Sequence, residues 1–517
     1  MKIRMTFLAL FFTSLLLGQE LSLAIPITTD MRTDAGIQIE KLDEGYLILG
    51  GTFCNDSLPF EKCLGLLKTD KDGNPIWATN YDGSPHGSLR PNGRTMVVHD
   101  DTIYVANMIW KNDHDEIRMM SFDMEGNLLE ESDFFIPYQN TFFLRGMIGT
   151  EEKLVVFSEV KQNGQHRVLI QDFDFELNLL GEYHFGISNF NKIDVVLKQT
   201  EDKAGFLLAY GEHNGLFQSV MHLNKLDAQY NITYSKQLPE PGSTLSATDF
   251  IETEDNGYML AWNADVWDDV IADTFPYPTI VYGLDSLFDV EWEHIFLHRS
   301  AKEHISTIKT QDGNMLGIGI TDYTRVLWIY PDRQGGDGWC FLLSPEGDLL
   351  WERVILDTMD IGFGRFWHGV ETDQGFTLVG DIDMPNPTGV PFLNDPEVWL
   401  LTLDKNGCWN GNCEEVIVIT GDSTSFTGTH DMPQDKLEMK VYPNPTMGLL
   451  TIESGQGAVA QKRSAMVFGI TGKLVASFDL TAPKSTINLR DLENGIYIVT
   501  QMEDGLPVSS QKIIVHH

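Results

Sequence analysis

LLKTDKDGNPIW (Leu66 to Trp77) is an apolar strand that runs into Asp70, turns through Gly73 and resumes at Ile76 and Trp77. The same figure returns six times: MSFDMEGNLL about Asp123, QDFDFELNLL about Asp174, LNKLDAQYNITY about Asp227, YGLDSLFDVEW about Asp285, LLSPEGDLLW about Ser344 and LTLDKNGCW about Asp404. Successive polar residues stand 53, 51, 53, 58, 59 and 60 positions apart. Gly follows three places later at Gly73, Gly126, Gly347 and Gly407, and an aromatic seven places later at Trp77, Tyr234, Trp292 and Trp351. Acid-Gly turns between alternating apolar residues are hairpin chemistry, because Gly accepts the positive φ of a tight turn.

A second hairpin precedes each copy. DEGYLILGG (Asp43 to Gly51), EDKAGFLLAYG (Glu201 to Gly211), EDNGYMLAW (Glu254 to Trp262), QDGNMLGIG (Gln311 to Gly319) and DQGFTLVGD (Asp373 to Asp381) carry it clearly, with weaker forms at Asp100 to Thr102 and Glu151 to Lys153. Two hairpins per period make a four-stranded sheet, and seven such sheets closed on themselves make a seven-bladed β-propeller. One sheet cannot bury both faces alone, so the seventh-position aromatics are expected to wedge between neighbouring sheets. The fold class is therefore all-β, a propeller over residues 25–419.

Composition agrees. The 517 residues are 42% apolar and 11% aromatic, which excludes a disordered, collagenous or coiled-coil chain. Lys+Arg 36 against Asp+Glu 75 leaves a net charge of −39, which repels phosphate backbones and speaks against nucleic-acid binding. Residues 25–435 hold 26 basic and 67 acidic side chains, whereas residues 436–517 hold 8 and 7. Between them TGDSTSFTGTHDMPQ (Thr420 to Gln434) lacks periodicity and reads as a linker, taken as 420–436. Lys2 and Arg4, the apolar run Phe7 to Gly18 and the exit Ser22-Leu23-Ala24 read as a signal peptide over 1–24. That run is shorter than the ~20 residues a spanning helix needs, and no later segment is long and apolar enough to cross a membrane.

The repeats resemble propeller repeats of the Trp-docking kind found in pyrroloquinoline-quinone-like proteins, and the hairpin repeats of secreted surface proteins. They depart from the quinoprotein pattern, which has one more residue between Asp and Gly. They depart also from sialidase-type Asp boxes, which place Asp where Lys71 stands. The resemblance implies architecture and no quinone or sialidase chemistry.

Catalytic signatures are sparse. The chain has no GxSxG, no HExxH and no phosphate loop, since GITGKL (Gly469 to Leu474) ends in Leu. DKDGN (Asp70 to Asn74) lacks the spaced carboxylates of a calcium loop and reads as a turn. Neither a cofactor nor a metal set can be named. Two close cysteine pairs in an exported chain predict the bridges Cys54–Cys63 and Cys408–Cys413, with Cys340 in the core.

The tail is the most specific stretch. VYPNPTMGLLTIE (Val441 to Glu453), MVFGITGKLVAS (Met466 to Ser477), INLRDLENGIYIVTQMEDG (Ile487 to Gly505) and QKIIVHH give about seven short strands, a small Ig-like antiparallel sandwich. Residues 437–517 resemble the C-terminal sorting domain of type IX secretion substrates. The matching elements are Tyr442-Pro443-Asn444-Pro445, Gly472-Lys473-Leu474-Val475, Leu492 through Gly495 and Tyr497, and the closing strand Lys512 to Val515. This implies the type IX machinery as partner, passage through the periplasm, and release or attachment at the outer surface.

For the body the reading favours a non-catalytic module that binds a glycan or a surface protein; the other class is an extracellular enzyme degrading polysaccharide or peptide. The connection from second to third strand is short near Lys111, Lys161 and Glu212 but long in the last three repeats, and in the first it holds the Cys54–Cys63 loop. Four adjacent blades are thus expected to raise a wall on one face. It would carry Trp267, Asp268, Asp269, Tyr277, Trp328, Tyr330, Asp332, Asp337 and Phe392. Aromatics beside carboxylates suit a sugar ring.

Overall fold

The computed structural model describes residues 24–27, 35–53, 62–81, 87–88, 94–110, 115–136, 142–162, 165–188, 195–213, 219–239, 245–264, 279–296, 305–321, 336–357, 364–384, 395–419, 440–453, 463–469, 474–480, 482, 484–490, 492, 495–503 and 506–516. Every helical or extended element among them is a strand. The chain divides into two compact units, Met1–Thr429 and His430–His517.

The first unit is a series of four-stranded antiparallel sheets of the propeller type. Sheet one runs Ala35–Leu42, Gly45–Phe53, Lys62–Asp70, Pro75–Tyr81 in simple up-and-down order. Sheets three, four and five repeat that order from Phe142, Val195 and Leu245. Sheet two opens with two short pieces, Gly87–Ser88 and Met96–His99, both paired to Thr102–Trp110. Sheet six runs Ser306–Lys309, Met315–Thr321, Asp337–Leu343, Leu349–Asp357 in the same order and gains a fifth strand, while sheet seven takes its fourth strand from elsewhere in the chain. Sheet seven has three strands of its own, Gly364–Glu371, Gly375–Met384 and Asp395–Asp404, and takes Ala24–Ile27 as its fourth. After Asp404 the chain therefore does not form the second strand expected of the seventh copy, since that edge is occupied. Instead Val416–Ile419 runs parallel to Leu349–Asp357 as a fifth strand of sheet six. Ala24, the last residue of the expected signal peptide, is the first of the closing strand.

The repeated polar residue acts locally in all seven copies. Asp70 Oδ1 accepts the amide of Asn74 at 2.8 Å, and Asp123, Asp174, Asp227, Asp285 and Asp404 do the same four residues on. Ser344 substitutes its hydroxyl. DKDGN is thus a capped turn. The residue three places on is left-handed in every copy: Gly73, Gly126, Gly347 and Gly407, but also Leu177, Tyr230 and Phe288.

That difference follows from packing. Gly347 (φ 88°) leaves room for Trp292 of the preceding sheet, whose Nε1 donates to the carbonyl of Pro345 at 2.9 Å. Trp77 docks in the same way over Gly126, and Trp351 over Gly407. Sheets two, three and four have no Trp at that position, and the left-handed residue of the next sheet, Leu177, Tyr230 or Phe288, is itself buried; Gly73, which follows sheet seven, is the exception. The seventh-position aromatics are inter-sheet wedges, and Tyr234 reaches Leu287 O with its hydroxyl. Apolar clusters lie between each successive pair of sheets, and another joins Ile39, Ile48 and Leu67 of sheet one to Val379, Val398 and Leu400 of sheet seven.

The second unit has a three-stranded sheet with Lys440–Tyr442, Leu449–Glu453 and Lys484–Asn488, and a four-stranded sheet with Arg463–Gly469, Leu474–Asp479, Gly495–Glu503 and Leu506–Val515. Leu450, Ile452, Val467, Val499 and Ile513 form their shared core.

Candidate functional site

The first strands of the sheets bring together charged groups that lie far apart in the chain. Asp249, on Leu245–Glu252 of sheet five, is the hub. The Arg94 guanidinium of sheet two donates to it through Nη2. The Lys198 ammonium of sheet four lies 2.7 Å from its Oδ1. The amides of Thr307 and Phe250 donate to it at 2.8 and 2.9 Å. Arg94 Nη2 also donates to Ser306 Oγ at 2.6 Å and to Thr307 O at 3.1 Å, reaching sheet six.

Sheets one and seven border the same cluster. Gln38 donates to Glu40 Oε1 and to Met96 O, both at 2.8 Å, and accepts the Met96 amide, so it ties sheet one to sheet two. The ring of His368 from sheet seven lies between the backbone amide and carbonyl of Ile39. Bulges displace the register at Gly36/Gln38, Ala247/Asp249 and Phe366/His368, and the polar side chain follows the bulge in each case.

Burial and charge set the protonation states. Burial opposes ionisation of Asp249, but Arg94, Lys198 and the donated hydrogen bonds outweigh it and hold the carboxyl well below its ordinary range. Burial pulls Lys198 down, partly offset by Asp249. Glu40 is pushed up by burial, against its bond from Gln38 and the pull of Arg94. His368 is held well below the ordinary imidazole value, first by burial and then by Arg94. The cluster thus holds two cations, one firmly ionised carboxylate, a neutral imidazole and a carboxyl biased toward its uncharged form. The Asp249 side chain is 4% exposed, whereas those of Arg94 and Lys198 are 32% and 24% exposed, so each cation is mostly buried but keeps an open edge.

Two other charged groups stay within single sheets. Glu159 takes Arg145 Nη2 at 2.8 Å and His166 Nδ1 at 2.9 Å. Asp381 takes Arg365 at 2.6 Å and the indole of Trp367.

The expected wall lies largely outside the described residues: Trp267, Asp268, Asp269, Tyr277, Trp328, Tyr330, Asp332 and Phe392 all fall there. The strands that flank it are described, and they put residues 265–278, 322–336, 385–394 and 54–61 between second and third strands, against 111–114, 163–164 and 214–218 elsewhere. Asp337 does not belong to that wall. It is fully buried as the first residue of Asp337–Leu343, in register with Thr321. Cys408 and Cys413 are bonded, and Cys340 is a buried free thiol. Cys54 and the side chain of Cys63 lie outside the described residues, as do Gly472 and Lys473.

In the second unit Asn444 explains part of the Tyr-Pro-Asn-Pro stretch. Its amide donates to Lys512 O at 2.8 Å and its carbonyl accepts the Ile514 amide at 2.8 Å, so one side chain clamps the last strand. Thr446 continues the pairing through backbone bonds to Ile514 and His516. Tyr442 donates to Glu453 at 2.6 Å. Gly495 and Tyr497 stand on the strand Gly495–Glu503 that pairs with the clamped strand. Residues 440–516 match the secretion system C-terminal sorting domain family. The chain is a type IX secretion substrate. Its sorting domain directs it to the cell surface or the extracellular space. No helix among the described residues is long and apolar enough to cross a membrane.

No curated protein matches the chain. Among solved structures, the BBS1N chain of a complex with ARL6DN is similar at 10% identity, over 74% of this chain and 98% of that one, with a TM-score of 0.39. A thermostable family-43 glycoside hydrolase is similar at 11% identity, over 50% and 91%, with a TM-score of 0.31. A family-32 beta-fructofuranosidase of Bombyx mori is similar at 12% identity, over 96% and 83%, with a TM-score of 0.31. At these values none bears on activity.

Sequence reading missed the Arg94–Lys198–Asp249 cluster because each member comes from a different repeat. The available signal was a polar residue at a fixed place in the first strand. Asp249, Ser306 and His368 each stand four places before the Thr that caps the following turn, Thr253, Thr310 and Thr372.

Proposed function

We propose that the body, residues 25–419, is one seven-bladed β-propeller acting as a non-catalytic binding module for a glycan or a surface protein. It follows a signal peptide at 1–24 and is joined through a linker at 420–436 to an Ig-like sorting sandwich at 437–517. The observation that carries the reading is the distribution of the second-to-third connections. Those of sheets five, six, seven and one are long, and these sheets are neighbours because sheet seven packs on sheet one. Long connections crowded at one end of a β scaffold are where binding residues concentrate. The ligand surface is placed there, on Trp267, Tyr277, Trp328, Tyr330 and Phe392 with Asp268, Asp269 and Asp332. Changing Trp267 and Trp328 together to Ala should abolish binding to a ligand found on a glycan array and leave the melting temperature nearly unchanged. Binding that survives the pair refutes the placement.

A hydrolase reading has one observation in its favour. Glu40 and Asp249 border one cluster with their ionisation pushed in opposite directions, a pattern shared by acid–base pairs. Against it, Asp249 already accepts two cations and two amides, which leaves it poorly placed as nucleophile or base. Sugar release from a polysaccharide panel, lost in Glu40→Gln, would decide for the enzyme.

A further inference from the structure

We propose that the solvent-facing edge of the Arg94–Lys198–Asp249 cluster is an anion site that takes a single ligand carboxylate, apart from the loop wall. Two cations meet one ionised carboxylate, while burial biases Glu40 toward its uncharged form and holds His368 neutral, so neither cancels nor adds to them. Arg145 and Arg365, by contrast, each face a buried carboxylate of their own. A surplus of one positive charge matches one carboxylate. A phosphate dianion would exceed it.

Among the described residues, every bond of Arg94 runs through Nη2, which leaves Nε and Nη1 for another partner. Lys198 has one carboxylate partner for three N–H donors. Asp249 and the Ser306 hydroxyl hold the guanidinium in place, so little side-chain entropy remains to be lost on binding. The buried Thr307 hydroxyl beside them has no partner among the described residues.

In a body with 67 acidic and 26 basic side chains, two cations on one buried carboxylate differ from the one-to-one pairs Arg365–Asp381 and Lys153–Asp172. A carboxylate reaching them trades solvent for charge-assisted bonds in a partly desolvated setting, where they are strongest.

The test titrates the full-length secreted protein calorimetrically, at low ionic strength, with D-galacturonate, D-galactose and acetate. Galacturonate should bind and galactose at this site should not. Tighter binding of galacturonate than of acetate assigns a sugar-borne carboxylate, and equal binding assigns a free one. Lys198→Gln, which keeps the Arg94–Asp249 pair, should weaken binding at least about tenfold, the effect of losing one charge-assisted bond. Lys198→Arg should retain it, which controls for misfolding. The Trp267 and Trp328 double change to Ala should leave carboxylate binding intact, so failure of the wall and failure of this site are separable. Absence of heat with both carboxylates, or unchanged affinity in Lys198→Gln, overturns the proposal.

Discussion

Replacing Gly347 by Ala tests whether the docked tryptophans hold neighbouring sheets together. A Cβ at Gly347 would lie 2.6 Å from Trp292 Cδ2, and the residue keeps φ at 88°. The left-handed backbone costs Ala ~1–2 kcal/mol whatever surrounds it. The clash is separate: the Trp292 ring cannot retreat toward Gly283, where it lies flat against its cross-strand partner, so it must tilt away from the turn. Tilting breaks its bond to Pro345 O, worth ~1 kcal/mol, and loosens contact with the cluster of Phe296, Trp339 and Phe341. Together Gly347→Ala should destabilise by about 3 kcal/mol. Trp292→Ala alone should cost ~2–3 kcal/mol, less than a fully buried Trp because its ring is only partly buried. In the double variant the clash disappears while the backbone term stays, so the pair should fall short of additivity by ~1–2 kcal/mol. Urea unfolding of wild type, the two single variants and the double variant, followed by tryptophan fluorescence and by circular dichroism, gives the four free energies. Additive losses would refute the docking account, and so would Gly347→Ala that unfolds with wild type.

Three further outcomes are expected. Because His368 is held below the ordinary imidazole value of 6.5, its proton binds the unfolded chain first; stability is full above about that pH and is lost as pH falls below it, and His368→Gln should flatten this part of a melting-temperature profile. Asn444→Ala removes both bonds to the last strand and should destabilise the sorting domain by ~1–3 kcal/mol, reducing the protein in the medium, while deletion of residues 437–517 should retain the body in the periplasm by fractionation. Peptide mapping should find Cys408–Cys413 bridged and Cys340 unreactive to alkylation until denaturation, and Cys408→Ser with Cys413→Ser should cost ~2 kcal/mol for so short a loop.

Much of this architecture is local chemistry and was therefore legible along the chain. An Asp that caps its own turn, a residue that must be left-handed three places on, and strands that alternate around it are relations within a dozen residues, and they repeat seven times. Tyr442 to Pro445 and the closing strand marked the sorting domain for the same reason: a short motif carries its own hydrogen bonds, here from Asn444 to Lys512 and Ile514. Tertiary structure decided the rest. That Ala24–Ile27 completes the last sheet, and that Val416–Ile419 turns away to sheet six, depends on which edge is already occupied. The choice between Gly126 and Leu177 at one and the same turn position depends on whether the neighbouring sheet offers a Trp. Arg94, just before Met96–His99, and Lys198 and Asp249, within first strands, each look like an isolated charge; they become one cluster only because stacking the sheets brings separate repeats within bonding distance.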